Sequence, residues 1–119
     1  MSFKLNRLDD AVTDIEVCGD RGTGGEFVTY RISCPQEGAQ VDLGLIVFQD
    51  GPAKDVGLNG VRIEDLLDIC AHRLQCFQTG PFACKENESS LQLIQLARTG
   101  LANRTADRKR RAVEVSMQS

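Results

Sequence analysis

The chain has 119 residues, of which 41% are hydrophobic and 26% charged, with five Phe, one Tyr and no Trp. That balance fits one globular domain with a thin, mainly aliphatic core, which self-association would supplement. A net charge of −3 speaks against a general DNA or RNA binder, no run approaches the roughly 20 apolar residues of a membrane span, and the N-terminus lacks the plan of a signal peptide.

In chain order, residues 1–12 show a weak alternation (Phe3, Leu5, Leu8) that predicts an arm or an edge strand. Residues 13–17 alternate better, with Ile15 and Val17 on one side. The run Gly19-Asp20-Arg21-Gly22-Thr23-Gly24-Gly25 lacks the Gly-Lys-Ser/Thr and the following helix of a phosphate loop, so it reads as a flexible hairpin loop. Residues 26–33 predict a strand, with Phe27, Thr29 and Arg31 on one side and Val28, Tyr30 and Ile32 on the other. Cys34 to Gly38 predicts a turn, and the almost wholly apolar Val41 to Phe48 predicts the most buried strand. The three segments form a small antiparallel meander, too few strands to cover both faces alone.

Asp50-Gly51-Pro52 ends the sheet and Gly57-Leu58-Asn59-Gly60 supplies a second bend. Leu66, Leu67, Cys70, Leu74 and Phe77 then form one stripe of a helix over about 63–77, with Glu64 and Asp65 in its first turn. Thr79-Gly80-Pro81 stops it. A second helix is expected over about 85–114, with Leu91, Ile94, Ala97 and Leu101 as its stripe and Gly100 marking a close helix approach. The fold class is therefore α+β, a small antiparallel β-meander followed by a two-helix antiparallel hairpin. It forms a single domain over 1–119, with about 1–60 as arm, meander and loop and about 61–115 as hairpin. The five cysteines (Cys18, Cys34, Cys70, Cys76, Cys84) are odd in number and lack metal-site spacing, and His72 is the lone histidine. They read as reduced, mostly buried thiols, with no metal and no cofactor.

Charge is uneven, −7 over residues 1–97 and +4 over 98–119. Arg104, Arg108 and Arg111 at i, i+4 and i+7 place three guanidinium groups on one helical face, a spacing that suits a ligand with two or three phosphates, although the row taken alone reads more readily as a solvated face of ion pairs. Phe77 and Phe82 flank the bend and Asn87 opens the second helix, so an aromatic and an amide are available for a base, although Phe77 also reads as a core residue and Asn87 as a cap. Asp107 and Glu114, flanked by Arg, read as ion-paired carboxylates rather than an acid–base pair. Catalysis is not expected. Asn87 and Arg104 are 17 positions apart, about 25 Å along a helix, so a small ligand touching both would take them from two protomers of an antiparallel dimer.

The segments Phe48-Gln49-Asp50-Gly51-Pro52, Val56-Gly57-Leu58-Asn59-Gly60-Val61 and Glu64-Asp65-Leu66-Leu67 occur in that order. They are followed by Phe77-Gln78-Thr79-Gly80-Pro81-Phe82, Cys84-Lys85-Glu86-Asn87, Asn103-Arg104-Thr105-Ala106-Asp107-Arg108 and Arg110-Arg111-Ala112-Val113-Glu114. Together they resemble the phage anti-Thoeris cyclic-nucleotide sponges, whose helical hairpin is shared with the anti-CBASS sponges. The resemblance implies a non-catalytic protein in the cytoplasm of the infected bacterium. Such a protein sequesters cyclic ADP-ribose isomers, glycocyclic ADP-ribose in particular, across a homodimer interface. It implies Phe77 as the base-stacking aromatic, Asn87 as a polar contact, and Arg104 and Arg108 as the grip on pyrophosphate and ribose. It further implies a trimer of dimers, with a second nucleotide pocket at Thr105 for cyclic dinucleotides and at Arg110, Arg111, Ala112 and Val113 for cyclic trinucleotides. Ala112 stands where relatives often have Gly, which narrows the latter pocket. An anti-CBASS sponge and a protein–protein adaptor are the other readings.

Overall fold

The computed structural model describes residues 2–8 and 11–118, with side chains to Ala112. The chain divides into two compact units, residues 1–62 and 63–119. The first holds an antiparallel sheet of four strands, β1 (Ser2–Lys4), β2 (Asp14–Arg21), β3 (Phe27–Gln36) and β4 (Ala39–Val47), in the order β1-β2-β3-β4. The meander thus gains a strand, because the N-terminal segment pairs with β2 through Phe3 opposite Val17. Register puts Phe3, Val17, Tyr30 and Ile46 on one face, joined by Ile15 and Ile32. Val17, at the centre of that row, is 1% exposed. Tyr30 meets Phe48 edge-on at 5.6 Å, and Phe3 meets Phe27 at 5.3 Å.

The turns follow from backbone chemistry. Gly19, with φ of 81°, sits in the register shift that bends the end of β2 before the 22–26 loop. Arg21 closes that loop by donating to the Gly25 carbonyl at 2.6 Å and lies 4.6 Å over the Phe27 ring. Between β3 and β4 the chain reverses on Glu37 (φ 49°) and Gly38 (φ 83°), two consecutive positive-φ residues of the kind that suits a twisted hairpin. The turn is shorter than expected, since β3 runs on through Pro35. Proline fits there because the β2 pairing ends at Ser33, so the missing N–H breaks no ladder.

β4 overturns an expectation. It reads as the most buried strand but is almost wholly exposed, with Leu45 at 60% and Leu43 also in solvent. An apolar run identifies a strand, whereas burial depends on what flanks it, and β4 lies at the sheet's edge. Residues 48–61 then form a tied loop. Val61 pairs in parallel with Phe48, and the Gln49 amide donates to the Gly51 and Gly57 carbonyls. Asn59 both accepts from the Asp50 backbone N–H and donates to the Asp50 carbonyl, each at 2.8 Å. Gly60 passes so close to β4 that a Cβ would lie 2.6 Å from the Val47 carbonyl oxygen.

Among the described residues there are three helices rather than two, because Pro52 starts a single turn, α1 (Ala53–Val56), inside the loop. The α+β order stands. The second unit consists of α2 (Ile63–Gln78) and α3 (Lys85–Gln118), joined by residues 79–84. Cross-links run Gln78 to Glu88, Asp68 to Arg98 and Glu64 to Arg104, so position falls on α2 as it rises on α3 and the two run in opposite directions. Most of their less exposed residues follow a seven-residue repeat: Glu64, Leu67, Ala71, Leu74 and Gln78 on α2, and Asn87, Leu91, Ile94, Arg98, Leu101 and Thr105 on α3. This corrects two stripe residues. Cys70 is exposed while its neighbour Ala71 is 1% exposed, and Ala97 is exposed while Arg98 takes the inward place. Gly100 likewise marks no close approach within the chain, since a Cβ there would meet nothing within 4 Å.

The expectation of mostly buried thiols also fails. Cys18 and Cys34 are half-buried and Cys70, Cys76 and Cys84 exposed, all five free. With only two fully buried hydrophobic residues among those described, the core has no room for them.

Candidate ligand-binding site

The four residues expected to hold a ligand all lie on the α2–α3 pair, divided between its connected end and the far half of α3. Phe77, in the last turn of α2, is half-buried, and Arg73 one turn earlier sits 5.3 Å over its ring. The ring is thus only partly covered, with a guanidinium on one of its faces. Beyond it, Thr79 and Gly80 close α2, and the Gln78 side chain accepts from the Cys84 N–H at 3.0 Å. Phe82 stands in the bend and is exposed.

Asn87 is not the cap of α3. Cys84 is, because its carbonyl accepts the first helical bond, from Glu88, and its Sγ accepts the Asn87 N–H at 3.4 Å. The Asn87 side chain is thereby released from capping and occupies a half-buried place on the face that meets α2.

Arg104 and Arg108 are both exposed on α3. Arg104 lies 3.7 Å from the Glu64 carboxylate, at the opposite end of α2 from Phe77. Arg108 has no ion-pair partner among the described residues. Thr105 points its hydroxyl back to the Leu101 carbonyl at 3.2 Å, a local bond common for threonine inside a helix. Arg110 and Arg111 both pair with Asp107, the latter at 2.9 Å, so the carboxylate at 107 is an ion-pair hub. The side chains of Val113 and Glu114 lie outside the described ones.

A single chain therefore places Phe77 and Asn87 near the connected end and Arg104 and Arg108 on the far half of α3. It does not join the two pairs, since residues 87 and 104 of a continuous helix stand about 25 Å apart. Three participants were not singled out in the sequence: Arg73 over Phe77, Cys84 as the cap, and Glu64 beside Arg104. Arg73 is legible in hindsight from its i, i+4 spacing to Phe77. Glu64 follows from folding the chain about the 79–84 bend, which lays the start of α2 against the second half of α3.

Among the described residues no group of three or more His, Cys, Asp or Glu is arranged to hold a metal, and no helix is long and apolar enough to cross a membrane.

No family model matches the chain. It is 42% identical over 72 residues to Thoeris anti-defense 1 of Bacillus phage SBSphiJ7, a stretch that is 60% of this chain and 51% of that protein. The chain thus spans about half the length of that curated relative. The similarity is to the same anti-Thoeris family that the sequence motifs resemble.

Proposed function

From that kinship we propose that the chain is a phage anti-defence protein acting against Thoeris immunity by binding a cyclic ADP-ribose-type messenger without turning it over. The observation that carries the anti-Thoeris part of the reading is the 42% identity over 72 residues to a protein named Thoeris anti-defense 1. The geometry supports the finer part. An aromatic face and an amide at one end of the helix pair suit a purine, and two exposed guanidinium groups on α3 suit a pyrophosphate. Their separation supports a site shared by two antiparallel copies of the α2–α3 hairpin, with Phe77 and Asn87 from one protomer and Arg104 and Arg108 from the other. The apolar residues Leu93 and Leu96, exposed on α3, supply surface for such a dimer. Trimers of dimers and the second pocket at Thr105, Arg110 and Arg111 extend the same reading.

Occupancy in such a protein follows mass action, so tight binding and slow release are its whole mechanism. Calorimetric titration with glycocyclic ADP-ribose, followed by chromatography of the ligand released on heating, tests it. One ligand per protomer recovered intact is the expected result. A cleaved ligand would make the protein an enzyme. Absence of heat with this ligand and saturation with a cyclic dinucleotide or trinucleotide would replace it with the anti-CBASS class.

A further inference from the structure

The binding reading leaves one residue beside the site without a role. Glu64 is in the first turn of α2, where the helix dipole favours a carboxylate. Its side chain is 18% exposed, against 41% for Arg104, and their contact joins one carboxylate oxygen, Oε1, to one terminal nitrogen, Nη2, at 3.7 Å. The pair is therefore asymmetric. The carboxylate is the more buried partner on the shorter arm, and the guanidinium, on a long and flexible arm, is the one being steered. A guanidinium carries five N–H donors in a planar fork, and a bidentate carboxylate would use a whole edge of it. This single long contact leaves most of the fork for another anion.

We propose that Glu64 is a positioning residue for the phosphate grip: it tethers Arg104 so that the remaining edge of the guanidinium is held ready for a pyrophosphate. The inference rests on the reading of Arg104 as a phosphate contact. Restraining an arginine before the ligand arrives removes part of the entropy lost on binding. The carboxylate also repels an anionic ligand, and the two effects have opposite signs. In the proposed arrangement the guanidinium lies between the carboxylate and the pyrophosphate, in solvent, which screens the repulsion, so the tether is expected to outweigh it.

The test is a mutant cycle read by calorimetry with two probes, glycocyclic ADP-ribose and inorganic pyrophosphate. Glu64→Gln keeps the shape and removes the charge. It is expected to weaken both ligands about three- to tenfold. In an Arg104→Ala background the same change should alter affinity less than about twofold, because Glu64 acts only through Arg104. A structural role would instead lower affinity equally in both backgrounds, and that result overturns the proposal. Unchanged or tighter binding by the Glu64→Gln protein overturns it too, making the carboxylate a bystander or a competitor. If the parent binds pyrophosphate through Arg104 but not the nucleotide, the proposed messenger is wrong and the pyrophosphate cycle still decides the role of Glu64. If the parent binds neither, both readings fall.

Discussion

At the residue scale, the anion-binding reading turns on α3. Arg104 and Arg108 are exposed, one steered by Glu64 and the other without an ion-pair partner among the described residues. Arg110 and Arg111 are already engaged by Asp107. Arginine pairs with phosphate through charge-assisted, often paired bonds, and losing one leaves a charged ligand group poorly matched. Arg104→Ala and Arg108→Ala are each expected to weaken glycocyclic ADP-ribose binding more than tenfold, measured by calorimetry. If both bound like the parent, the site would lie elsewhere. Such surface changes should leave the melting temperature almost unmoved, which separates a lost contact from a lost fold.

At the element scale, the helix pair depends on small residues in two different ways. Ala71 is 1% exposed on the α3-facing side of α2, so a longer side chain has nowhere to go. Ala71→Leu should destabilise the fold by about 1–3 kcal/mol through overpacking, checked by denaturant unfolding. Gly100 is the reverse case. Its Cβ position opens onto empty space and its backbone is helical, so Gly100→Ala should stabilise by about 0.5–1 kcal/mol through helix propensity alone. A loss of stability in the same assay would mean that the outer face of α3 meets another copy at this position.

At the scale of the whole molecule, exposed apolar surface is the dominant feature. Leu43 and Leu45 on β4, Ile69 on α2, and Leu93 and Leu96 on α3 all stand in solvent, while only Val17 and Ala71 are fully buried hydrophobic residues among those described. A chain of this length gains little from its own core, and association is the usual remedy. The melting temperature is therefore expected to fall on dilution across the range where a dimer dissociates, tracked by scanning calorimetry and sedimentation. A melting temperature independent of concentration, with a monomer in sedimentation, would remove the shared-site geometry. Charge matters at the same scale. The −7 of residues 1–97 against the +4 of residues 98–119 concentrates attraction for an anion in the C-terminal segment without making the whole protein basic.

How much of this was legible in the sequence depends on the range of the interaction concerned. Strand and helix positions, the stop at Thr79-Gly80-Pro81 and the arginine row on α3 are local patterns, set within a few residues by alternation, helical period and turn chemistry. The motifs that resemble the anti-Thoeris family are local as well, and the similarity to Thoeris anti-defense 1 agrees with them. What failed was everything that depends on a neighbour distant in sequence. Val41 to Val47 is apolar yet exposed, because edge placement is decided by the order of the sheet. Ala71 rather than Cys70 turns inward, and Arg98 rather than Ala97, because a one-residue rotation of a helix is fixed only when its partner packs against it. Arg104 meets Glu64 across 40 positions, a contact that exists only once the chain has folded at residues 79–84. By itself, then, the sequence determined the α+β order, most of the elements, the charge and the arginine row on α3. The tertiary structure decided which faces those elements cover, since burial belongs to pairs of surfaces and not to any segment alone.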